Sequence, residues 1–181
     1  MLFAASCGDG KSDTKTPATA GAQVGTPVVV LQAAALLPKL DDLGYALAQQ
    51  GKDPLAPPTV DTAQAIYLKP NSNRSIQVRI FVMGTADLAR TQYRTYADQF
   101  RNPPPDVLGI PSKNVDTLSP KVGDEQKSYV TEKPDGQGNA VWTDIYRAGR
   151  VVFFLQVLDA AAGDQMQLRS AVADRIASKA K

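Results

Sequence analysis

The chain has 181 residues, 43% hydrophobic and 21% charged, and this composition predicts one soluble globular domain with or without a tail. Its 20 Lys and Arg residues nearly balance 18 Asp and Glu residues, so the net charge of +2 is too small to predict a nucleic-acid surface. The sequence contains no histidine and one cysteine, Cys7. Those counts exclude Ser-His-Asp and Cys-His catalysis, His-ligated zinc and disulfides within one chain. We expect no metal site and no cofactor.

The N-terminus carries a short apolar run that ends at the cysteine. Residues 8–27 are polar and rich in Gly, Thr and Ala, and we expect a flexible tether because they hold too little apolar surface to offset the entropy of ordering them. The sequence Ala5-Ser6-Cys7 resembles the end of the lipobox of bacterial lipoproteins, although Ala4 stands where that family usually has Leu. The resemblance implies cleavage before Cys7 and a diacylglyceryl anchor on its sulfur.

The segment before the cysteine departs from that family. Residues 1–6 lack the basic n-region and the apolar h-region of about 7–15 residues that a signal peptide needs, which indicates a misplaced start codon or a trimmed chain. A cytoplasmic protein with a chance cysteine is the alternative. We favour residues 1–7 as a signal-peptide remnant and lipobox, and a location on the extracytoplasmic face of the bacterial cell envelope. The apolar run at 28–37 is too short to span a membrane.

Alternating apolar residues predict a hairpin and then a helix in the first half of the domain. Residues 28–58 favour neither strand nor helix, because Gly44 weakens the helical spacing around it. Residues 63–69 and 75–83 each alternate, and the turn residues between them predict antiparallel pairing. Thr85 is the predicted N-cap of an amphipathic helix that ends before three consecutive prolines.

The second half of the chain predicts three strands and a final helix. Residues 102–120 are predicted to form a long connection, followed by strands at 127–132, 141–146 and 151–158 and a helix at 163–179. Residues 147–150 are predicted to form a tight hairpin between the last two strands. This order of elements predicts an α+β fold, an antiparallel sheet of about five strands with helices packed on it. We expect a single domain over residues 28–181, with 62–181 as its best-defined part.

Three arginines on the first predicted helix form a candidate binding stripe. Arg90, Arg94 and Arg101 share part of one helix surface with Asp98. Such a stripe can bind phosphate or an acidic partner. We favour an ordinary solvent-exposed face with an Arg94–Asp98 pair, since pairs at this spacing are common on exposed helices.

Aromatic residues on one strand face form a second candidate surface. Trp142 and Tyr146 project to the same face, together with Asp144, and Tyr67 and Phe81 are candidates to join them from neighbouring strands. Such a face can bind a ligand or a partner protein. We favour a layer of core under a helix, because aromatic side chains dominate cores.

The adjacent carboxylates Asp124 and Glu125 are interpreted as a solvated turn. Neighbouring residues of an extended chain point to opposite faces, so the two cannot act together on one substrate.

Two short motifs resemble known extracytoplasmic domains. The sequence at 122–125, Val-Gly-Asp-Glu, precedes a hairpin, the sequence Tyr-Arg-Ala-Gly-Arg-Val-Val at 146–152 and a C-terminal helix. This arrangement resembles the PsbP-like and kinase-sensor-like lipoprotein domains of bacteria, over about residues 60–180. The resemblance implies an antiparallel sheet flanked by helices and a role in binding or complex assembly. It carries over no functional residue.

These observations favour a lipid-anchored extracytoplasmic binding or accessory domain that acts in complex assembly or sensing and is not an enzyme. The expected contacts are a protein partner in the cell envelope and the membrane, through the lipid on Cys7, with no nucleic acid. A small-molecule or lipid carrier with a cleft between sheet and helix is the alternative. A carboxylate-based hydrolase is less favoured, because it would need two acidic groups about 5–10 Å apart in a pocket.

Overall fold

One antiparallel sheet organises the part of the chain that the computed structural model describes, residues 31–101, 114–131, 140–159 and 165–181 of the unit Leu31–Lys181. The described strands are β1 (Ala46–Gly51), β2 (Thr59–Leu68), β3 (Ser75–Met83), β4 (Asn114–Thr117), β5 (Glu125–Thr131), β6 (Ala140–Ala148) and β7 (Val151–Asp159). The helices are α1 (Ala33–Leu36), α2 (Ala86–Arg101) and α3 (Met166–Ala177), with a 3-10 turn at Asp41–Leu43. The predicted α+β class is confirmed.

The described sheet has seven strands rather than about five, in the order β1-β2-β3-β7-β6-β5-β4. The two strands that the sequence did not predict are β1, inside the ambiguous stretch 28–58, and β4, inside the predicted connection 102–120. Both are edge strands, and the described side chains of both are largely exposed. Alternation of apolar residues reports burial of one face, so strands that bury little give no such signal.

The predicted hairpins and the predicted helix start are confirmed. β2 pairs with β3 and β6 pairs with β7, both antiparallel. β7 lies in the middle of the sheet with both faces covered along much of its length, which explains its nearly continuous apolar sequence. The Leu88 backbone N–H donates to Thr85 Oγ1 at 3.2 Å, so Thr85 caps α2 as predicted.

The helices divide between the two faces of the sheet. The α3 face, which α1 and α3 cover, contains the larger apolar cluster, with central members Ile80 and Phe153. The α2 face carries a smaller cluster, in which Tyr96 and Phe100 of α2 pack around Phe154. Alternation along β7 explains the division, because Phe153 and Phe154 are neighbours in sequence and point to opposite faces.

The segment from α1 to the 3-10 turn is held on the α3 face by polar contacts. The Tyr67 hydroxyl donates to the Pro38 carbonyl oxygen at 2.7 Å, and the Ala33 N–H donates to a carboxylate oxygen of Asp61 at 2.9 Å. Arg175 of α3 forms two hydrogen bonds with the Asp42 carboxylate. These contacts order a stretch whose sequence pattern favoured neither strand nor helix.

Candidate binding surface

A fully buried ion pair lies between α3 and β6. The Arg169 Nε and Nη2 groups donate to the two carboxylate oxygens of Asp144 at 2.8 and 2.5 Å, and neither side chain is exposed. The Tyr146 hydroxyl donates to Asp144 Oδ2 at 3.1 Å, and Arg169 Nη2 also donates to the Leu118 carbonyl oxygen at 3.0 Å. Burial, and the nearby carboxylate of Asp144, raise the pKa of Tyr146 above its ordinary value.

This buried centre has a structural role. Removing two charges from water is costly unless geometry and additional hydrogen bonds compensate, and Asp144 and Arg169 have both. The pair therefore fixes α3 over β6. The sequence placed Asp144 on the correct face but did not predict its partner. The available signal was Arg169 itself, a charged residue on the same helical stripe as the buried Val172 and Ile176.

The motif at residues 123–125 forms a clamp on Arg147. Asp124 Oδ2 accepts from Arg147 Nη1 and from the Gly149 N–H, each at 2.8 Å, and Glu125 accepts from Arg147 Nε. Gly123 has a φ of +72°, and a Cβ at this position would collide with the Arg147 carbonyl oxygen. The turn is exposed at Asp124, as predicted, but the expectation that the two carboxylates cannot act together is wrong, because both bind the nearly buried Arg147 guanidinium.

The aromatic residues singled out in the sequence lie in the core. Trp142 and Tyr146 are buried on the α3 face, where the Tyr146 ring stacks on Phe153 with centroids 4.9 Å apart, and Tyr67 belongs to the same cluster. The structure thus places them in the layer under a helix that the sequence favoured. Phe81 lies on the opposite face, because it is out of phase with the buried alternation of β3.

The arginine stripe lies on the solvent side of α2. Arg90, Arg94 and Arg101 are all exposed, while the apolar side of the helix contacts the sheet. The ion pair described on this helix joins Arg90 to Asp87 at 3.3 Å, so the expected Arg94–Asp98 pair is not the one formed in the described part of the chain. The stripe and the aromatic residues Trp142 and Tyr146 are on different faces of the sheet and do not form one site.

The α2 face has an open half that the α2 cluster does not cover. Two adjacent rows of residues across β2, β3, β7 and β6 make up this open half, and all but Thr143 are at least partly exposed. The rows are Ile66, Gln77, Gln156 and Thr143, and then Leu68, Ser75, Leu158 and Val141. None of the eight carries a charge or belongs to the cluster under α2. Amides, hydroxyls and aliphatic groups therefore alternate on an accessible surface.

One ion pair borders the open half. Arg79 Nε and Nη2 donate to the two carboxylate oxygens of Asp53 at 3.0 and 2.7 Å. Arg79 lies in the row next to Gln77 on the same face, and its guanidinium is 5.9 Å from the Phe81 ring centroid. The Asp53 hydrogen bond raises the pKa of Arg79 further above its ordinary value. Because Arg79 and Asp53 carry opposite charges, this ion pair adds no net charge beside the open half.

Several predicted features lie outside the described residues, namely Cys7, the tether at 8–27, and residues 102–113 of the long connection. Within residues 31–101, 114–131, 140–159 and 165–181, no three His, Cys, Asp or Glu side chains are grouped as a metal would need. No helix in those ranges is long and apolar enough to cross a membrane.

The fold is similar to that of a bacterial extracellular domain. No protein-family model and no curated protein matches the chain. Among solved structures, the extracellular domain of PknH from Mycobacterium tuberculosis matches with a TM-score of 0.60 and 14% sequence identity. The match covers 82% of this chain and 94% of that domain. At this identity the likeness shows a shared fold.

Proposed function

We propose that the chain is an extracytoplasmic binding domain that acts in sensing or in the assembly of a protein complex, and that a lipid on Cys7 attaches it to the membrane. The observation that carries the proposal is the likeness in fold along 94% of a domain that is extracellular in its own protein. The sequence Ala5-Ser6-Cys7, similar to a lipobox, supports the anchor.

The open half of the α2 face is the proposed contact surface for a protein partner in the cell envelope. Its amides can donate and accept hydrogen bonds, and its partly exposed aliphatic side chains can be buried on binding. Gln156 Nε2 donates to Thr143 Oγ1 at 3.3 Å, which orients one amide, while Gln77 has solvent on its outer side. The neutrality of this surface favours a partner that is itself uncharged at the contact.

Binding without catalysis is part of the proposal, and the carboxylates support it. Those of Asp53, Asp124, Glu125 and Asp144 are bound by guanidinium groups. A hydrolase of the carboxylate type needs one acid whose pKa is raised so that it can donate a proton. The hydrogen bond from the Lys52 ammonium instead lowers the pKa of the partly buried Asp61.

The carrier alternative has less support. A cleft between sheet and helix would need space under α2, yet the Phe154 ring lies 4.8 Å from Tyr96, 5.0 Å from Phe100 and 5.3 Å from Phe81, measured between centroids. On the other face, the buried ion pair and its apolar neighbours occupy the interface with α3.

The anchor can be tested by fractionating the native host and measuring the intact mass of the mature N-terminal peptide. A membrane-associated protein whose Cys7 carries diacylglycerol is the expected result, and Cys7→Ser should move the protein to the soluble fraction. An unmodified thiol, or a Cys7→Ser protein that stays with the membrane, would contradict the lipid anchor.

The contact surface can be tested by photo-crosslinking in living cells. A photoreactive residue replaces Gln77 in the open half, and the matched control carries it at Gln99, an exposed glutamine on the solvent side of α2. We expect a discrete adduct with one envelope protein from position 77 and none from position 99. Equal labelling at both positions, or no adduct at 77, would exclude the open half as the partner surface.

A further inference from the structure

The turn between β6 and β7 lies at one end of the sheet, which is called the basal end below. The Met83 N–H, at the end of β3, donates to the Arg150 carbonyl oxygen of this turn at 2.9 Å. A Cβ added to Gly149 would lie 3.6 Å from the Ala180 carbonyl oxygen, which follows α3. The basal end therefore brings together the β6–β7 turn, the end of β3 and the residues after α3.

Four cationic side chains with exposed surface lie at the basal end. They are Lys121, Arg150, Lys179 and Lys181. Two of them flank Ala180 and one belongs to the turn itself. Lys121 comes two residues before Gly123, and a Cβ added to Gly123 would lie 3.6 Å from the Cβ of Ala148. Within the part of the chain that the structure describes, neither Lys121 nor Lys181 is bound to a carboxylate.

The acidic side chains of the basal end do not cancel this charge. Asp124 and Glu125 both bind Arg147, so this group of three retains a single negative charge. Asp174 adds a second, since its carbonyl oxygen accepts from the Ser178 N–H at the end of α3. Cationic side chains therefore outnumber acidic ones at the basal end, whereas the open half of the α2 face is uncharged.

The segment that connects the domain to Cys7 joins it beside these cations. Ala33 lies two residues after the start of the unit, and its N–H donates to Asp61 at 2.9 Å, near the start of β2 and opposite the end of β3. Lys179 Nζ donates to the Leu37 carbonyl oxygen, directly after α1, at 3.1 Å. The point of attachment and the cationic cluster are thus at the same end of the sheet.

We propose that the basal end binds the anionic phospholipid headgroups of a membrane surface. Lysine and arginine side chains close to such a surface are attracted to its negative potential, and the attraction falls off within a Debye length. The lipid on Cys7 would bring the domain to the membrane, and the basal cations would orient it there. This orienting role rests on the proposed lipid anchor, whereas the affinity of the basal end for anionic lipid does not.

The orientation would display the proposed partner surface. Leu158 of the open half lies seven residues along β7 from Val151 at the basal end. At about 3.3 Å per residue, the two are roughly 23 Å apart along the strand. A domain that rests on its basal end therefore holds the open half away from the bilayer, where an envelope protein can reach it.

Co-sedimentation with vesicles tests the proposal on the full chain carrying Cys7→Ser, which has no site for the lipid. The probes are vesicles of phosphatidylcholine with about 30% phosphatidylglycerol, and vesicles of phosphatidylcholine alone. At about 0.1 M salt we expect binding to the anionic vesicles only, weakened by about tenfold or more at about 0.5 M salt. No binding to the anionic vesicles, or equal binding to both kinds, would overturn the proposal.

A charge-reversed pair of variants assigns the binding to the basal end. Lys121→Glu combined with Lys181→Glu should weaken binding to the anionic vesicles by about tenfold or more, because two attractive charges become repulsive. The matched control, Lys69→Glu combined with Arg74→Glu, changes the charge equally at the β2–β3 turn, at the opposite end of the sheet. It should weaken binding by less than about twofold, since it lies more than a Debye length from the surface. Equal losses would mean that net charge decides the binding, and would overturn the proposal.

Energy transfer measures the orientation without any change to the cations. In the Cys7→Ser chain, Ser178→Cys and Asn73→Cys place a fluorophore at an exposed position of the basal end and of the β2–β3 turn. We expect stronger transfer from position 178 to an acceptor on the lipid headgroups. Equal transfer, or stronger transfer from position 73, would contradict the basal end as the membrane contact. The mass of the Cys7 peptide is measured separately, so failure of the lipid anchor and failure of this contact can be told apart.

Discussion

The apolar cluster of the α3 face includes residues of β2, β3, β7 and β6 and of both α1 and α3, whereas the cluster of the α2 face includes no residue of the open half. The α3 face, called the closed face below, contains the buried Asp144–Arg169 pair, and the open half of the α2 face exposes neutral amides such as Gln77. Polar groups on the closed face must satisfy one another because water cannot reach them. On the open half, water forms hydrogen bonds with the exposed amides, and a bound partner would replace that water. The comparison separates residues that hold the fold from residues available for binding.

The largest effect should come from breaking the polar centre of the closed face. Asp144→Ala leaves the Arg169 guanidinium buried without its counter-charge, and we expect a loss of about 3–5 kcal/mol in the free energy of unfolding. Urea denaturation measures it. Asp144→Leu combined with Arg169→Met should recover most of the loss. Removing Asp42, the exposed partner of Arg175, should cost much less because water solvates the charge left behind.

A substitution in the aromatic cluster of the α2 face should lower the free energy of unfolding slightly less than the loss of Asp144 does. Phe154→Ala removes a ring that contacts Phe81, Tyr96 and Phe100, and a loss of about 3 kcal/mol is expected, because the cluster is open on one side and can partly collapse. Hydrogen exchange should show faster exchange in α2 and unchanged protection in α3. Loss of protection in both helices would indicate that the two faces unfold as one unit.

Alkaline pH should lower the free energy of unfolding through both faces of the sheet, since each contains a buried tyrosine whose pKa is raised. Burial, followed by the charge of Asp41 at Tyr67 and of Glu125 at Tyr93, raises the pKa of each phenol to about 12. Unfolded tyrosine has a pKa of about 10, so between pH 10 and 12 only the unfolded chain loses these protons. Stability is therefore complete below pH 10 and falls as pH rises through 12, by roughly 2–3 kcal/mol for each tyrosine.

A single substitution separates the contribution of the closed face at high pH. Tyr67→Phe should cost about 1 kcal/mol at neutral pH, through the lost hydrogen bond to Pro38, and should flatten the alkaline decline of the urea midpoint. Absorbance titration should show one fewer late-ionising phenol. A decline as steep as that of the parent chain would mean that Tyr67 ionises normally.

Two glycines with nearly the same backbone angle test the clamp on Arg147. Gly123 and Gly44 have φ of +72° and +77°, but only Gly123 has no room for a Cβ. Gly44→Ala should cost about 1 kcal/mol from backbone strain alone, and Gly123→Ala about 2–3 kcal/mol because the Arg147 backbone must move as well. Thermal unfolding of both variants checks the difference. Equal losses would show that the turn shifts without cost.

The smallest effect is expected on the solvent side of α2. Arg94→Ala and Arg101→Ala should each change the free energy of unfolding by less than about 0.5 kcal/mol, since neither side chain is buried. Urea midpoints measure this. A larger loss at either position would mean that the stripe supports the fold, contrary to its exposed position.

Residues that bury a regular face were predictable, and residues that act through distant partners were not. The alternation in β2 and β3, the continuous apolar run of β7 and the cap at Thr85 each depend on neighbours within a few residues. Arg169 lies 25 residues from Asp144, and Arg147 lies 23 residues from Asp124. No local pattern connects such pairs, so the sequence suggested a solvated turn at Asp124.

The sequence by itself determined the α+β class, the central hairpins and the two long helices, because hydrophobic periodicity and capping are local properties of the chain. It also determined the absence of histidine and the single cysteine, and hence the chemistry that one chain cannot perform. Only the tertiary structure decided the edge strands β1 and β4, the pairing of Asp144 with Arg169, the clamp on Arg147, and which half of the sheet stays accessible. Those features depend on which strand becomes an edge and which residues meet across the sheet, and these are properties of the folded chain as a whole.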